Sequence, residues 1–388
     1  MGKGAFCCVA AVLALASTPV AAAHRLVSVG YRTPSALHGL HVVRRIPVLR
    51  VAEVRVTGAR GEARLRARPG IRFVHKLALR TRAGAPELPT GVSALPEWQW
   101  AATREDLVPD WVQQTASHVT IAVVDTGADL TVPALAARAP LSWNVVTNDT
   151  LVSDVIGHGT FVASLAAGAQ LGFGGQAQLL VVQANRGTTG FSDLDEANAI
   201  VYAVDHGASI INLSFGGTDT SPVERSAINY AISKGVLLVA AAGNAAQSGN
   251  PTMYPAALIG RKGLVVGASD ISGRRAKFST TGAYVDLLAP GVDVLGAIAP
   301  DATNRLFSLA STPSFTGEYG YGTGTSYSAP EVAGAAALVM AANPSLGAAG
   351  VVRALEAAAS GNGVWTKARA FGVVNVAAAV QRALAPPS

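Results

Sequence analysis

The chain has 388 residues, of which 50% are hydrophobic and 14% are charged. This composition excludes a disordered or fibrous protein and leaves enough apolar material for a large buried core. Thirty Lys and Arg residues against 24 Asp and Glu residues give a formal net charge of +6. Such a charge is compatible with a nucleic-acid or membrane partner only if the basic residues lie on a lasting surface, so their distribution along the chain decides the question.

Residues 1–23 have the pattern of a secretory signal peptide. Lys3 precedes a long apolar run that contains both cysteines of the chain, Cys7 and Cys8, and that ends in small residues at Ala23. This pattern predicts cleavage after Ala23, and an uncleaved membrane anchor is the alternative. After cleavage the mature chain has no cysteine, so disulfides cannot stabilise it.

The following residues divide into a basic and an acidic part. Residues 24–90 carry fourteen basic and three acidic side chains, a net charge of +11, whereas residues 91–388 carry 15 basic and 21 acidic ones, a net charge of −6. The boundary coincides with a Pro/Gly-rich linker. Alternating apolar and charged residues in the basic part predict a small α+β domain with a helix at residues 62–68 that Pro69 ends. Its strands are predicted at residues 26–31, 54–56 and 71–73. Aromatic residues are sparse in it and no nucleic-acid-binding motif is present, so we predict no nucleic-acid partner.

The acidic part alternates short Val/Ile/Leu-rich runs with helical stretches. The predicted strands are residues 120–124, 179–183, 209–214, 236–241 and 264–267, and the predicted helices are residues 193–206 and 222–234. Ser221 and Glu224 are placed to form a capping box at the start of the second helix. This alternation predicts an α/β fold with a doubly wound parallel sheet and helices on both faces, and ligands bind beyond the carboxyl ends of such strands.

Three polar residues stand among glycines and small residues at the ends of these elements. Asp125 directly follows a predicted strand, His158 opens a helix, and Ser326 precedes a long apolar helix. Each has an ordinary explanation by itself, as a turn, capping or surface residue. Together they have another, because a serine hydroxyl becomes a nucleophile when an imidazole accepts its proton and a carboxylate fixes the imidazole tautomer.

The motifs Asp125-Thr126-Gly127, His158-Gly159-Thr160 and Gly324-Thr325-Ser326, in this order, resemble those of the subtilisin-like serine proteases. The resemblance extends over residues 98–376 and implies a subtilisin-like fold. It implies that Asp125 orients His158, that His158 is the general base and then the general acid, and that Ser326 attacks the scissile carbonyl. Asn244 stands where the family has its oxyanion-hole asparagine, with the Ser326 backbone N–H as second donor; a turn amide is the alternative.

The resemblance also suggests three segments that bind substrate. They are Ser214, Phe215 and Gly216; Ala241, Ala242 and Gly243; and Thr188, Thr189 and Gly190. The first two segments match the strands that line the family's primary side-chain pocket, and the third matches the edge that pairs with an extended peptide. Ala245 brings no charge to the primary pocket, so we expect an apolar or mixed preference there.

The family further implies a division of the chain. Residues 1–23 are expected to be the signal peptide, residues 24–90 an inhibitory propeptide that folds with the protease, and residues 91–388 the peptidase domain. Their opposite net charges suggest attraction between the last two. Residues 168–178 lack carboxylates, so we expect no calcium at the site where several relatives bind it, and we expect no cofactor.

The expected function is that of a secreted serine endopeptidase, extracellular or periplasmic, which works through an acyl-enzyme and is made as a self-processing zymogen. Its partners would be peptide or protein substrates and its own propeptide in cis, with no nucleic acid and no membrane after signal removal. Two alternatives remain: a transpeptidase or peptide cyclase that uses the same acyl-enzyme, and a non-catalytic peptide-binding scaffold. The presence of all four residues Asp125, His158, Asn244 and Ser326 argues against the scaffold.

Overall fold

The computed structural model describes residues 24–82, 108–187, 190–302, 307–312, 315–359 and 372–385. The predicted signal peptide, the predicted linker, and Thr188 and Thr189 lie outside the described residues.

The N-terminal unit is a four-stranded antiparallel sheet with one helix packed on it. Its elements are β1 (His24–Tyr31), β2 (His41–Ile46), β3 (Val51–Thr57), α1 (Gly58–Arg66) and β4 (Ile71–Lys76), and the strand order is β2-β3-β1-β4. Alternate apolar side chains, among them Val29 and Val54, form its small core. The helix begins four residues earlier and ends two residues earlier than predicted. Its early end is expected, because Pro69 disfavours a helical backbone at residue 68.

The remaining elements follow in chain order. The strands are β5 (Leu79–Arg82), β6 (Thr120–Asp125), β7 (Leu141–Asn144), β8 (Gln178–Gln183), β9 (Phe191–Ser192), β10 (Ile210–Leu213), β11 (Phe215–Gly216), β12 (Leu237–Ala241), β13 (Leu264–Ser269), β14 (Leu287–Pro290), β15 (Val294–Ala297), β16 (Ser308–Thr312) and β17 (Phe315–Gly322). The helices are α2 (Asp110–Thr115), α3 (Pro133–Ala136), α4 (His158–Ala167), α5 (Asp193–Asp205), α6 (Pro222–Ser233), α7 (Ala256–Ile259), α8 (Thr325–Ala342), α9 (Gly347–Ala358) and α10 (Val376–Leu384).

Seven of these strands form a parallel sheet in the order β14-β13-β12-β10-β6-β8-β7. One face packs against α4 and α8 and the other against α5 and α6, so both faces are buried. Burial on both faces requires continuous apolar strands, as the Val/Ile/Leu-rich runs predict. The predicted doubly wound α/β fold is confirmed. Strands β7 and β8 lie on one side of β6, and the strands from β10 onward lie on the other side. The carboxyl ends of β6 and β10 are therefore next to each other where the strand order reverses, which is the topological switch point of such sheets.

A small sheet joins the N-terminal unit to the rest of the chain. Strand β5 lies between β9 and β11 and is antiparallel to both, with Arg80 opposite Phe191 and Arg82 opposite Phe215. Apolar residues of the N-terminal unit, including Ile46, also pack into the core beside α5 and α6. The N-terminal unit therefore contacts the α/β unit through main-chain pairing as well as through its apolar surface.

Among the described helices, no single one is both long and apolar enough to cross a membrane. Helix α8 and the segment Pro344–Ala358 have sufficient length and apolarity only together, and they are bent by 104° at the break between them.

Candidate active site

Asp125 and His158 are hydrogen-bonded at the carboxyl end of the central strand. Asp125 is the last residue of β6 and His158 the first of α4, both are 2% exposed, and Asp125 Oδ1 lies 2.8 Å from His158 Nδ1. The start of α4 and the turn after β6 approach so closely here that a Cβ added at Gly159 would lie 2.1 Å from the carbonyl oxygen of Gly127. The glycines of both motifs thus allow the close approach, and the carboxylate fixes the orientation of the imidazole.

A second buried carboxylate, that of Asp154, holds the start of α4. Its Oδ1 accepts hydrogen bonds from Thr126 Oγ1 and from the N–H of Gly157, each at 2.8 Å. Its Oδ2 accepts from the N–H and the hydroxyl of Thr160, at 2.8 and 2.7 Å. The N–H groups in the first turn of a helix have no intrahelical partners, and the helix dipole also favours a carboxylate at this end. Sequence reasoning missed this residue, although an acidic side chain four positions before His158 was a usable signal.

Ser326 lies in the first turn of α8 and is buried against the end of β10. Its Oγ donates to the carbonyl oxygen of Ser214 over 2.9 Å, and the Ser214 hydroxyl donates to the carbonyl oxygen of Ser326 over 2.8 Å. The ring of Tyr327, the next residue, lies 5.8 Å from the ring of His158, centre to centre. Within the described residues, His158 Nε2 has no hydrogen-bond partner. Ser326 Oγ is therefore hydrogen-bonded to Ser214, and no hydrogen bond joins it to His158 Nε2 among the described residues.

Asn244 lies beside the start of the same helix. Its Oδ1 accepts from both the N–H and the hydroxyl of Thr325, each at 2.9 Å, which assigns the oxygen of the side-chain amide. Asn244 Nδ2 lies close to Gly324, since a Cβ added at that glycine would be 3.1 Å from it. The amide N–H groups are thus held next to the turn that carries Ser326.

The other residues predicted to bind substrate gather around this point, apart from the two threonines outside the described residues. Ser214 contacts Ser326, and Phe215 and Gly216 pair with β5. Gly190, at φ +90°, also faces β5: a Cβ there would lie 2.3 Å from the carbonyl oxygen of Arg80. The segment of Ala241, Ala242 and Gly243 starts at the last residue of β12. It reaches the site through the Gly243 N–H, which donates to Thr325 Oγ1 over 3.1 Å.

Sequence reasoning also missed a buried ionic cluster around Arg80. The guanidinium is fully buried; its Nε lies 2.9 Å from Glu196 Oε2, its Nη2 lies 2.7 Å from Glu224 Oε1, and its Nη1 donates to the carbonyl oxygen of Asp219 over 3.1 Å. Burial raises the pKa of Glu224 to about 7 and that of Glu196 well above its ordinary value, against the opposing effect of Arg80. Only half of the predicted capping box forms: Glu224 N–H donates to Ser221 Oγ, while the Glu224 carboxylate turns to Arg80.

The N-terminal unit makes further charge contacts with the start of α5, whose first turn is acidic. Arg44 Nη2 lies 2.7 Å from Asp195 Oδ1, and His75 Nδ1 lies 3.9 Å from Asp193 Oδ2. Acidic side chains are favourable at a helix N-terminus, and here they also meet basic residues of the other unit. The opposite net charges of the two parts thus correspond to specific ion pairs of Arg44 and Arg80.

Among the described residues, no group of three or more His, Cys, Asp or Glu side chains is arranged to hold a metal ion.

Comparison with known proteins identifies the family. The model described as the subtilase family matches residues 116–374. Thermitase of Thermoactinomyces vulgaris is 34% identical over 283 residues, which are 70% of this chain and 91% of that protein. The thermophilic serine proteinase of Bacillus sp. strain AK1 is 39% identical over 236 residues, or 59% of this chain, and the chain spans about half (53%) of the length of that relative.

Solved structures show the same fold. Fervidolysin from Fervidobacterium pennivorans, described as a keratinolytic enzyme related to subtilisin, aligns with a TM-score of 0.75 at 24% identity, covering 94% of this chain and 62% of that one. The epidermin leader peptide processing serine protease of Staphylococcus aureus aligns with a TM-score of 0.74 at 22% identity, covering 94% of this chain and all of that one. With its parallel sheet, its motifs and the family match over more than half of its length, the chain belongs to the subtilase family of serine endopeptidases.

Proposed function

We propose that this chain is a secreted serine endopeptidase, extracellular or periplasmic, that is made as a self-processing zymogen and uses Asp125, His158 and Ser326 as its catalytic triad. The observation that supports the triad best is the 2.8 Å hydrogen bond between buried Asp125 and His158 Nδ1, which leaves Nε2 as the proton acceptor. No cofactor and no metal enter the proposed reaction.

The proposed reaction has two halves. His158 Nε2 takes the proton from Ser326 Oγ as the oxygen attacks the scissile carbonyl carbon, and the imidazolium then protonates the leaving amine, so that an acyl-enzyme remains. In the second half, water attacks the ester while His158 Nε2 takes its proton. The imidazolium then returns the proton to Ser326 Oγ, and the acid product is released. Asp125 keeps the proton on Nδ1 throughout and stabilises the imidazolium.

Asn244 Nδ2 and the Ser326 N–H are proposed to donate to the oxyanion of each tetrahedral intermediate. These donors stabilise the intermediate more than the substrate, because the carbonyl oxygen gains a full negative charge there. One such donor contributes about 3 to 4 kcal/mol in enzymes of this kind.

Peptide and protein substrates are proposed to bind as an extended strand between two edges of the cleft. One edge is Ser214, Phe215 and Gly216; the other is Thr188, Thr189 and Gly190. Main-chain pairing of this type accepts many side chains and leaves selectivity to the pockets. The primary pocket is proposed to lie between the segment Ser214, Phe215 and Gly216 and the segment Ala241, Ala242 and Gly243, with an apolar or mixed preference.

Residues 24–90 are proposed to be a propeptide, residues 91–388 the peptidase domain, and residues 1–23 the signal peptide. The position of β5 in the cleft supports the propeptide, because a strand between β9 and β11 lies where a substrate strand is expected and blocks it. The proposed partners are therefore protein substrates and the propeptide in cis, with no nucleic acid and no membrane partner once the signal peptide is removed.

Mass measurement of secreted wild type, Ser326→Ala and Ser233→Ala tests this proposal. Ser233 is an exposed serine on α6 and serves as the matched control. We expect self-cleavage between residues 80 and 100 in wild type and the control, and an uncut precursor in Ser326→Ala. Equal cleavage in all three would refute self-processing by Ser326.

A further inference from the structure

The pocket around Arg80 is built by the peptidase domain but filled by the N-terminal unit. Glu196 lies in the first turn of α5 and Glu224 in the first turn of α6, and the carbonyl of Asp219 lies in the loop before α6. Gly217 also lies against the guanidinium, since a Cβ there would be in contact with Arg80 Nη1 at 3.4 Å. In the proposed release of the N-terminal unit, Arg80 would leave this pocket, and the residues that line it would remain with the peptidase domain.

Arg80 reaches this pocket from the strand that occupies the cleft. Its neighbours along β5 pair with β11, with Thr81 opposite Gly216 and Arg82 opposite Phe215. Ser214 precedes Phe215 and contacts Ser326, so β5 runs toward the nucleophile. In a substrate strand held in the same register, the residue opposite Ser214 would lie at the nucleophile, three positions after the residue whose side chain enters the pocket. The pocket would therefore receive the side chain about four residues before the cleaved bond.

We infer that this pocket is a substrate subsite that selects an arginine side chain in the protein to be cut. This inference rests on the proposed peptidase function and adds a charged selectivity to it, away from the primary pocket. The subsite belongs to Glu196, Glu224 and the Asp219 carbonyl, and Arg80 fills it in the precursor as a substrate arginine does afterwards.

Three features favour arginine over other side chains. The Nε, Nη1 and Nη2 atoms of Arg80 each face a different acceptor, which the planar guanidinium reaches at once and a single lysine nitrogen does not. Both carboxyl groups are fully buried around the bound strand, so an apolar side chain there would leave their oxygens without hydrogen-bond donors. An acidic side chain would add a like charge to the same pocket and is excluded more strongly.

The test is digestion of a library of peptides derived from a whole proteome, with the cut sites read by mass spectrometry. The enzymes are self-processed wild type, Glu196→Gln, Glu224→Gln and Asp205→Asn. Asp205 is an exposed carboxylate at the opposite end of α5 and is the matched control. Ser326→Ala measures any contaminating protease.

We expect wild type and Asp205→Asn to show arginine enriched about tenfold at one fixed position, about four residues before the cut, with lysine enriched less; charged hydrogen bonds have this strength. Each glutamine variant should lose most of the enrichment while it still cuts the library. If a glutamine variant does not mature, the wild-type profile alone decides.

Two failures are distinguishable. Wild type that cuts the library without arginine enrichment at any fixed upstream position, or glutamine variants with unchanged enrichment, would overturn the arginine subsite and leave the peptidase function standing. Wild type that cuts no more than Ser326→Ala would overturn the peptidase function, and the subsite with it.

Discussion

Ser326 and Ser214 exchange hydrogen bonds, each hydroxyl donating to the main-chain carbonyl oxygen of the other over 2.9 and 2.8 Å. Both serines are buried, so the two bonds tie the first turn of α8 to the end of β10. The Ser214 hydroxyl in turn accepts from Asn212 Nδ2 over 2.9 Å. The position of the proposed nucleophile is therefore set by a polar network as well as by packing.

Ser214→Ala should lower kcat about tenfold with little change in KM. The substitution removes one of the two bonds that position Ser326. It also leaves the buried Asn212 amide without its acceptor, which lowers the stability of the fold by about 1 to 3 kcal/mol. Steady-state kinetics on a peptide substrate measure the effect, with Ser233→Ala as control. A raised KM with unchanged kcat would mean that Ser214 binds substrate without positioning Ser326.

Asn244→Ala should lower kcat by about 10² to 10³ because it removes a proposed oxyanion donor. It also removes the acceptor of the Thr325 N–H and hydroxyl, so Thr325→Val is the comparison that disturbs the same turn but keeps the amide. We expect a much smaller loss of kcat in Thr325→Val. Similar losses in the two variants would assign Asn244 a structural role only.

Asp154→Asn should destabilise the precursor by about 3 kcal/mol, because the new amide faces buried donors that now lack an acceptor. In a chain of this size we expect Tm to fall by about 3 to 5 °C. Thermal unfolding of the variant in the uncut Ser326→Ala background measures it. Asp110→Asn, at an exposed position in the first turn of α2, should leave Tm within about 2 °C of the parent.

Glu224→Gln should flatten the dependence of precursor stability on pH. Burial raises the pKa of Glu224 to about 7 in the folded protein, above the unfolded value of about 4.5, so the folded state binds the extra proton. The corresponding stability is fully present below pH 4.5 and is lost as pH rises through about 7, by at most about 3 kcal/mol. Arg80, Glu196 and Asp193 face this carboxyl, and Glu196 changes stability in the same direction.

We therefore expect Tm of the Ser326→Ala precursor to fall between pH 5 and pH 8, and to fall less when Glu224→Gln is added. Asp205→Asn in the same background should keep the parental slope. An identical slope with and without the Glu224 carboxyl would show that this group does not titrate in that range.

The sequence predicts the strands of the sheet better than it predicts contacts between residues that are far apart in the chain. All five predicted strands of the α/β unit are present within about two residues, because strands buried on both faces must be apolar throughout. Strands β7 and β14, the two edges of the sheet, were missed, since each has only four residues. Short edge strands have neither the length nor the composition that a pattern can detect.

The same limit applies to the candidate site. Asp125 and His158 stand in local motifs of small residues, which made them recognisable, whereas Arg80 was one basic residue among fourteen. Its partner Glu196 is 116 residues away, and Glu224 was explained by the helix cap it only half forms. Ion pairs between separate units have no local pattern, so only the folded chain reveals them.

Strands β9 and β11 have two residues each, and among the described residues both pair with β5. Removal of β5 would expose the unpaired edges of β9 and β11, and an unpaired strand edge can pair with any extended chain. A partly unfolded copy of the enzyme is such a chain. Autolysis then depends on collisions between enzyme molecules, so the active peptidase should lose activity with second-order kinetics, and dilution should prolong its lifetime.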